Sequence, residues 1–582
     1  MSSNDEKKLF FLSIESKIEE NKKKLLKEPG NILILKELAQ LSANIGMNDL
    51  SVYFSFKALN YEPDSLACAL DCIQYLFLKG QELEANDLIK RILKEKSFLD
   101  KKNISSEEII KLIKIISKFR GDKETAIKIV EKAIKKFPLD KDMMILDAYV
   151  KGWLLGNIKE SRNILSRTIK KFPMDLSILV PWIDLYIKTN AKKTLKLCSI
   201  FNKKYSEFKE QILKKEFFVY SSIGDKKKAE KCLDEFNNKI QLMFNKINIF
   251  SGYIKELDIN ELLIQFEKHI LYVESFKLIQ FNHPLALLAF VISRKYKSLK
   301  NTERKNYFLD YAHTSIYKFN YYSEKNSFAV KSEMPDTFFK MSQIAERKIK
   351  KISYKKESLS PIFVIGLPRS GSTLIEKLIS NKKEILTFGE CQIVKKQLYN
   401  LTTRNSSPSL IDLYKDQFKL LTNKKRFVDK TLNNFPFISL ILKSFPNAKF
   451  INCIRDSKEN ALAIYNVLFD TLPWTHTFEN ILLYMDKYYK MMNKFNKKFP
   501  SHVYNIYHQD LVSNTKQEVL KLFNFLNIKY DSDILKNNND SSQVCTVSNW
   551  QVRQKISKKF LNQYSDDYYL LDKYHQKYKW LR

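Results

Sequence analysis

Pro361-Ile-Phe-Val-Ile-Gly-Leu-Pro-Arg-Ser-Gly-Ser-Thr-Leu-Ile-Glu-Lys-Leu-Ile-Ser380 is the stretch that decides how the C-terminal part of this chain folds. An apolar run ends at Gly366 and a loop of small residues follows. Leu374, Ile375, Leu378 and Ile379 then recur at the spacing of one helix face, beginning near Ser372. Backbone N–H groups of such a loop, aimed by a helix N-terminus, cradle a phosphate. Against the nucleotide-loop pattern GxxxxGK[ST], Gly366, Gly371 and Thr373 are in register, but Ser372 holds the Lys place and the cation stands at Arg369. Hydrolysis of ATP or GTP and P-loop kinase chemistry use that Lys and a magnesium ligand set, so the displaced charge argues against both. Asp429 is the nearest candidate for a second magnesium ligand, and Lys430 follows it directly.

Outward from this stretch, short apolar runs at Ile362–Ile365, Arg426–Val428, Lys449–Ile454 and His502–Tyr507 alternate with helix-periodic segments. That alternation predicts buried parallel strands with crossover helices. The polar, Pro-containing segment Tyr354–Pro361 marks the boundary, so a P-loop-like α/β domain with a parallel sheet is expected over 356–582.

The first half has a different texture. Gly46, Gly80, Gly121, Gly156, Asn190 and Gly224 follow one another at intervals of 34, 41, 35, 34 and 34 residues. Ala85, Ala126 and Ala229 share one phase of this period, Ala58 and Ala133 another, and Pro63, Pro138 and Pro173 a third. Small residues suit the close contact of two helices, Gly the left-handed turn and Pro the end of the second helix. The period is that of a helical hairpin array, and it resembles the tetratricopeptide repeat family, with Asn190 in the place of one Gly. The expected order is an N-terminal helical cap (1–29), an all-α repeat solenoid (30–254), a helical linker region (255–355) and the α/β domain. A solenoid of this kind is either a support or a concave surface for a peptide or protein partner.

Composition narrows the class. At 582 residues, of which 44% are apolar and only 25 are Gly or Pro, the chain is neither disordered nor collagen-like. Its net charge of +35 suits an anionic ligand, but the Lys runs are spread along the chain rather than concentrated. Charge of that kind reads first as solvated surface, and no specific nucleic-acid site is expected. Seven cysteines without a CxxC pair point to a reducing compartment and no structural zinc. The N-terminus has Asp5 and Glu6 ahead of a broken apolar stretch, unlike a signal peptide. Pro284–Ser293, the longest apolar run, is about half of what a membrane span needs. A cytoplasmic protein without a membrane span is the expectation.

Gly366-Leu-Pro-Arg-Ser-Gly-Ser-Thr373 resembles the 5′-phosphosulfate loop of sulfotransferases, which use 3′-phosphoadenosine 5′-phosphosulfate (PAPS). Together with the repeats, the chain is similar to bacterial tetratricopeptide-repeat sulfotransferases, relatives of the tyrosylprotein sulfotransferases. Four more stretches carry the resemblance. Phe388-Gly389-Glu390 stands where the family has its acidic general base. Phe427-Val-Asp-Lys430-Thr-Leu-Asn-Asn434 is similar to its second strand end, with a charge-neutralising Lys. Phe450-Ile-Asn-Cys-Ile-Arg455-Asp-Ser-Lys-Glu-Asn-Ala-Leu-Ala463-Ile-Tyr465 resembles its 3′-phosphate strand, loop and helix. Thr546-Val-Ser548-Asn-Trp-Gln551-Val-Arg553-Gln554 is similar to a late signature near the nucleotide.

The resemblance implies a PAPS-dependent sulfotransferase that moves a sulfuryl group to an acceptor hydroxyl or amine, with no metal. Pro368, Arg369, Ser370, Gly371, Ser372 and Thr373 would bind the 5′-phosphosulfate and Arg455 the 3′-phosphate, with Ser548, Gln551 and Arg553 as further nucleotide contacts. Glu390 would be the base, while Lys430 and Arg369 would stabilise charge on the leaving oxygen. One position departs: the family places a Ser eight residues beyond the Arg, where this chain has Ala463. A lost hydroxyl–phosphate bond costs about 1–3 kcal/mol, and Lys458 and Asn460 are the nearby polar residues. His476 and His508 read first as structural, Cys391 and Cys453 as packing residues. The acceptor is open among protein, glycan, lipid and metabolite. The competing reading is a helical-repeat interaction scaffold whose phosphate-loop domain has lost turnover.

Overall fold

The computed structural model describes residues 3–581 apart from 45–46, 95–103, 117–122, 155–156, 173–174, 185, 188–189, 204–208, 236–241, 247–252, 277–281, 318–329, 331, 350–358, 383, 396–409, 418–425, 470, 531–533, 535–555 and 557–560. The chain divides into two compact units, Met1–Asp147 with Ile254–Glu333, and Ala148–Tyr253 with Met334–Arg582.

The first unit is helical. Ile32–Asn44, Asn48–Tyr61, Leu66–Lys79, Glu82–Lys94, Ser106–Ile115 and Lys123–Lys136 succeed one another. The small residues that phase the repeat are core: Ala58, Ala85, Ala126 and Ala133 are all buried, which lets helix backbones approach. Gly80 closes its helix in the left-handed region at φ 94°, its N–H reaching the Leu76 carbonyl at 3.0 Å. Pro63 and Pro138 stand just past the helix ends at Tyr61 and Lys136. Gly46, Gly121, Gly156 and Pro173 lie outside the described residues. Within the same unit, the apolar run Leu285–Ile292 is buried all round inside the helix Asn282–Ser298. No helix among the described residues is long and apolar enough to cross a membrane.

The second unit opens with more repeat helices, Ile158–Lys171, Leu176–Asp184, Ala191–Asn202, Lys209–Ile223 and Lys226–Asp234. Asn190 differs from the Gly whose place it takes in the repeat. At φ −153° it makes no left-handed turn, and its side chain instead caps the next helix by accepting the Lys193 N–H at 2.9 Å. Asn is a strong N-cap and a weaker left-handed residue than Gly, so the substitution moves the turn chemistry from one helix end to the other.

The remainder of this unit holds a five-stranded parallel sheet: β1 (Ile362–Gly366), β2 (Ile385–Thr387), β3 (Arg426–Asp429), β4 (Lys449–Ile454) and β5 (Val503–Tyr507), in the order β2-β3-β1-β4-β5. The helices that matter for the site are α1 (Ser372–Ser380), α2 (Ile438–Ser444), α3 (Ser457–Tyr465), α4 (Phe478–Lys498), α5 (His508–Ser513) and α6 (Thr515–Phe525). β1 reads as an unbroken apolar run because it is buried along its whole length, as expected of a parallel strand covered on both faces. On one face Ile362, Val364, Val428, Ile451 and Ile506 pack with Ile375, Ile379, Leu522 and Phe523. On the other, Phe363 stacks on Phe450 with ring centroids 5.4 Å apart, and Phe427 meets Tyr414 at 4.6 Å. A polar clamp joins β4, β5 and α4: Tyr488 Oη donates to Asn452 Oδ1 at 2.6 Å, and Asn452 Nδ2 to Asn505 Oδ1 at 2.8 Å.

After β1 the chain runs to one side of the sheet, and after β4 to the other. The gap between these two strand ends is therefore the switch point at which open α/β sheets bind ligands. At that gap β1 comes so close to β4 that a Cβ on Gly366, at φ 144°, would lie 2.7 Å from the Cys453 carbonyl oxygen. Gly366→Ala is accordingly expected to destabilise the sheet unit by about 1–3 kcal/mol. The measurement is the midpoint of thermal or urea unfolding followed by near-UV circular dichroism, and an unchanged midpoint would refute the close approach.

Candidate active site at the carboxyl end of the sheet

The loop between β1 and α1 turns through two left-handed residues, Arg369 at φ 66° and Gly371 at φ 91°. A non-Gly residue held there is uncommon and marks a shaped loop. Ser370, buried, donates its hydroxyl to the Leu367 carbonyl at 2.8 Å, so this side chain fixes the loop from within. Asn460 of α3 braces it from outside, Nδ2 donating to the Pro368 carbonyl at 2.8 Å. A Cβ on Gly371 would come within 3.0 Å of the His508 ring. Ser372 and Thr373 open α1 and are both buried.

Lys430 follows the last residue of β3, with 1% of its side chain exposed. Its Nζ lies 2.7 Å from Glu390 Oε1 and 3.8 Å from Glu376 Oε2. The two carboxylates differ. Glu390, on the loop after β2, keeps 42% of its side chain exposed, whereas Glu376 is buried in α1 and accepts the Thr387 hydroxyl at 2.6 Å. Burial pushes the Glu376 carboxyl above its ordinary value, against the pull of Lys430. A backbone bond from Lys430 N–H to the Gly389 carbonyl, 2.9 Å, ties the β2 and β3 ends together.

Asp429, the one acidic strand end considered for magnesium, is fully buried and engaged: Tyr414 Oη and Cys391 Sγ donate to Oδ2, the latter at 3.2 Å, and Thr431 N–H to Oδ1 at 2.8 Å. Burial raises its pKa. It braces the start of the β3 loop from below. Cys453 of β4 is buried in the apolar cluster of the sheet, and burial pushes its thiol up to about 12 against the pull of Lys430, which suits packing and not nucleophilic attack.

Arg455 stands just past β4, across the switch point from the loop. Its Nη2 donates to Glu459 Oε2 at 2.8 Å and its Nη1 reaches the Arg369 carbonyl at 3.4 Å. Beside it opens a cleft of about 420 Å³ whose walls include Arg455, Asp456, Ser457, Tyr489, Tyr507 and Trp580. Asp456 caps α3 by accepting the Glu459 N–H at 3.0 Å, a structural role. Ala463 is buried in α3. Of the two polar neighbours considered as its substitutes, Asn460 holds the loop, and Lys458 Nζ lies over the Tyr568 ring at 5.4 Å.

The structure thus brings Pro368 to Thr373, Glu390, Lys430 and Arg455 to one end of the sheet. Ser548, Gln551 and Arg553 lie outside the described residues. Sequence reasoning missed Glu376, Glu459 and the bracing role of Asn460. A Glu inside the apolar helix face Leu374–Ile379 was the available signal for the first.

Residues 361–532 match a family model described as the sulfotransferase family. An "Uncharacterized protein" of Aquifex aeolicus is 28% identical over 225 residues, 34% of this chain and 29% of that protein, so the chain spans less than a third of this relative. A Caenorhabditis briggsae protein named "Putative protein-tyrosine sulfotransferase" is 22% identical over 193 residues, 30% of this chain and 68% of that protein. Two solved structures align at 12% identity: a sulfotransferase of Mycobacterium tuberculosis, with a TM-score of 0.22 over 51% of this chain and 98% of that one, and Naa15/Naa10 bound to HypK-THB, with 0.23 over 97% and 90%. These two structural likenesses are too slight to argue from. The family match falls on the strands, the loop and the three cations described above, so it is residues 361–532, following the helical repeats, that are similar to the sulfotransferase family.

Proposed function

We propose that this chain is a PAPS-dependent sulfotransferase acting on a hydroxyl or amine acceptor, and that its helical repeats recruit the acceptor or a protein partner. The observation that carries the reading is the Lys430–Glu390 pair, 2.7 Å apart, set at the same sheet end as a phosphate loop and Arg455. PAPS, when bound, supplies the sulfuryl group and a leaving phosphate oxygen. The residues fit its two anionic ends: the loop Arg369–Thr373 with the α1 N-terminus for the 5′-phosphosulfate, and Arg455 for the 3′-phosphate. The cleft beside Arg455 has the volume of a ligand pocket, and Tyr489, Tyr507 and Trp580 offer walls for a purine.

Glu390 is the exposed carboxylate of the Lys430 cluster, so it is the one an acceptor reaches. It takes the acceptor proton as the new oxygen–sulfur or nitrogen–sulfur bond forms. Lys430 carries three N–H groups; while one holds Glu390, the others neutralise the oxygen released as the old sulfur–oxygen bond breaks, with Arg369 assisting. The inactive-scaffold reading has Ala463 in its favour, and donor binding decides between the two.

His508 enters as a neutral neighbour of the loop. Burial first, then Arg455 and Arg369, lower its pKa to about 4. A neutral ring leaves the phosphate to the two arginines without adding a third cation to a crowded site.

Titration calorimetry of the full chain with 3′-phosphoadenosine 5′-phosphate (PAP) is expected to show saturable binding, with ATP weaker. Arg455→Ala should weaken PAP by about 10–100-fold, the worth of a charge-assisted bond. Absence of PAP binding by the folded chain would overturn the enzyme reading. Glu390→Gln is expected to keep PAP affinity and to lower PAP release from PAPS, measured with a hydroxyl acceptor found by screening, by about 100-fold or more. Retained turnover would remove Glu390 as the base.

The lowered His508 pKa has a signed consequence for stability. Between pH 6.5 and about 4 the unfolded chain binds a proton at this position that the folded chain does not. The stabilisation is present above pH 6.5 and is lost as the pH falls through that window. His476, also lowered to about 4 by burial, acts in the same sense. The thermal midpoint of His508→Gln should therefore fall less steeply than that of the wild type over this range, and parallel profiles would refute the neutral, buried assignment.

A further inference from the structure

The segment after residue 560 packs on α3 through one buried carboxylate. Glu459, with 4% of its side chain exposed, accepts four donors: Arg455 Nη2 at 2.8 Å, Gln563 N–H at 3.2 Å, Tyr564 N–H at 3.1 Å and Tyr568 Oη at 3.1 Å. Three of the four come from the C-terminal segment. The same segment places the Tyr564 ring 5.9 Å from the Arg455 guanidinium carbon. It is anchored further along, where Ser457 Oγ donates to the Trp580 carbonyl at 3.2 Å and Trp580 Nε1 to Asp486 Oδ1 at 3.0 Å. Leu571 and Leu581 are fully buried.

We propose that Glu459 and the docked C-terminal segment 561–581 act together as a positioning device for Arg455, so that the 3′-phosphate site is complete only when this segment is in place. This rests on the reading that Arg455 meets the 3′-phosphate. The guanidinium is fixed from three directions, by the Glu459 carboxylate, the Arg369 carbonyl and the Tyr564 ring. Two of these depend on the segment, directly for Tyr564 and through its three donors for Glu459. With those donors, Glu459 stays satisfied as Arg455 turns its charge toward a phosphate. Without them, Arg455 is the only remaining donor among the four, and a buried carboxylate with one cation binds that cation in competition with the ligand. Ala463 supplies no hydroxyl to the phosphate, so recognition at this end falls on Arg455 and its placement. The segment thereby sets specificity for the 3′-phosphate without touching the nucleotide.

The test measures the affinity of the full-length protein for PAP and for adenosine 5′-monophosphate, which lacks the 3′-phosphate, in the wild type, Tyr568→Phe and Glu459→Gln, with thermal midpoints alongside. The wild type should prefer PAP. Tyr568→Phe, which deletes one hydroxyl remote from the ligand, should cut the PAP preference by about 3–10-fold, and Glu459→Gln by about tenfold or more, each leaving monophosphate binding unchanged. A purely structural role would lower the midpoint and leave the preference intact, and that result overturns the proposal. Should Glu459→Gln fail to fold, Tyr568→Phe alone decides. A wild type that does not distinguish PAP from the monophosphate overturns the reading of Arg455 itself, and this inference with it.

Discussion

A lysine ammonium with 1% exposure at the end of β3 is the constraint around which the sheet end is built. An isolated charge buried this way costs several kcal/mol unless it is paired, so the neighbouring elements are arranged to supply carboxylates. Glu376 comes from α1, Glu390 from the loop after β2, and Lys430 itself from the end of β3. One ion cluster therefore fixes the relative positions of three chain segments whose ends form the site. Gly389, at φ 58°, lets the β2 loop curl back so that its carbonyl accepts the Lys430 N–H. The adjacent Asp429 points into a separate buried network with Tyr414, Cys391 and Thr431, so it does not add a third carboxylate to the cluster.

The same logic operates across the switch point. Arg455 is nearly buried, and Glu459, one helical turn on, is its partner. The two clusters differ in what else holds the carboxylate. At Lys430 the second carboxylate is exposed to solvent, whereas at Arg455 the carboxylate is enclosed by the chain's own C-terminal segment. One carboxylate of the site thus faces solvent, and the other is shut inside the protein. The net charge of +35 is spread over the whole chain, and the proposed chemistry rests on three cations, Arg369 in the loop and Lys430 and Arg455 just past strand ends.

The elements that were legible in the sequence are those whose physics is local. The strand at Ile362–Gly366 stands out because burial on both faces makes it continuously apolar. The repeat stands out because helix contact demands a small residue at a fixed phase, and Ala58, Ala85 and Ala126 are all buried as that demand requires. What Asn190 does in place of a Gly could not be read, because the same residue type serves a helix start and a left-handed turn and only the backbone decides which. Glu376 and Glu459 were not legible. A Glu on a helix is ordinarily a solvated residue, and each acquires its role from a partner that no periodicity announces: Lys430 far along the chain for one, and the C-terminal segment for the other. That segment is a run of 3₁₀ turns, Ser565–Tyr574, with no apolar repeat to mark it as packed.

The displaced cation of the phosphate loop follows from this arrangement. In a nucleotide-hydrolysing loop the Lys at the start of the helix reaches the terminal phosphates; here that place is Ser372, buried in the first turn of α1. Its charge is supplied from two other directions, by Arg369 within the loop and by Lys430 from the neighbouring strand end, held in place by a base candidate at 2.7 Å. A cation anchored on β3 cannot follow a terminal phosphate outward, but it stands beside whatever bond lies just beyond the loop. In the proposed reading Arg455, on the opposite side of β1, would hold a second anionic group away from that bond. A donor with anionic ends at two separated positions and a transferable group at one of them satisfies both cations at once. A simple triphosphate, whose charges lie in one line beyond the loop, leaves Arg455 with its own Glu459.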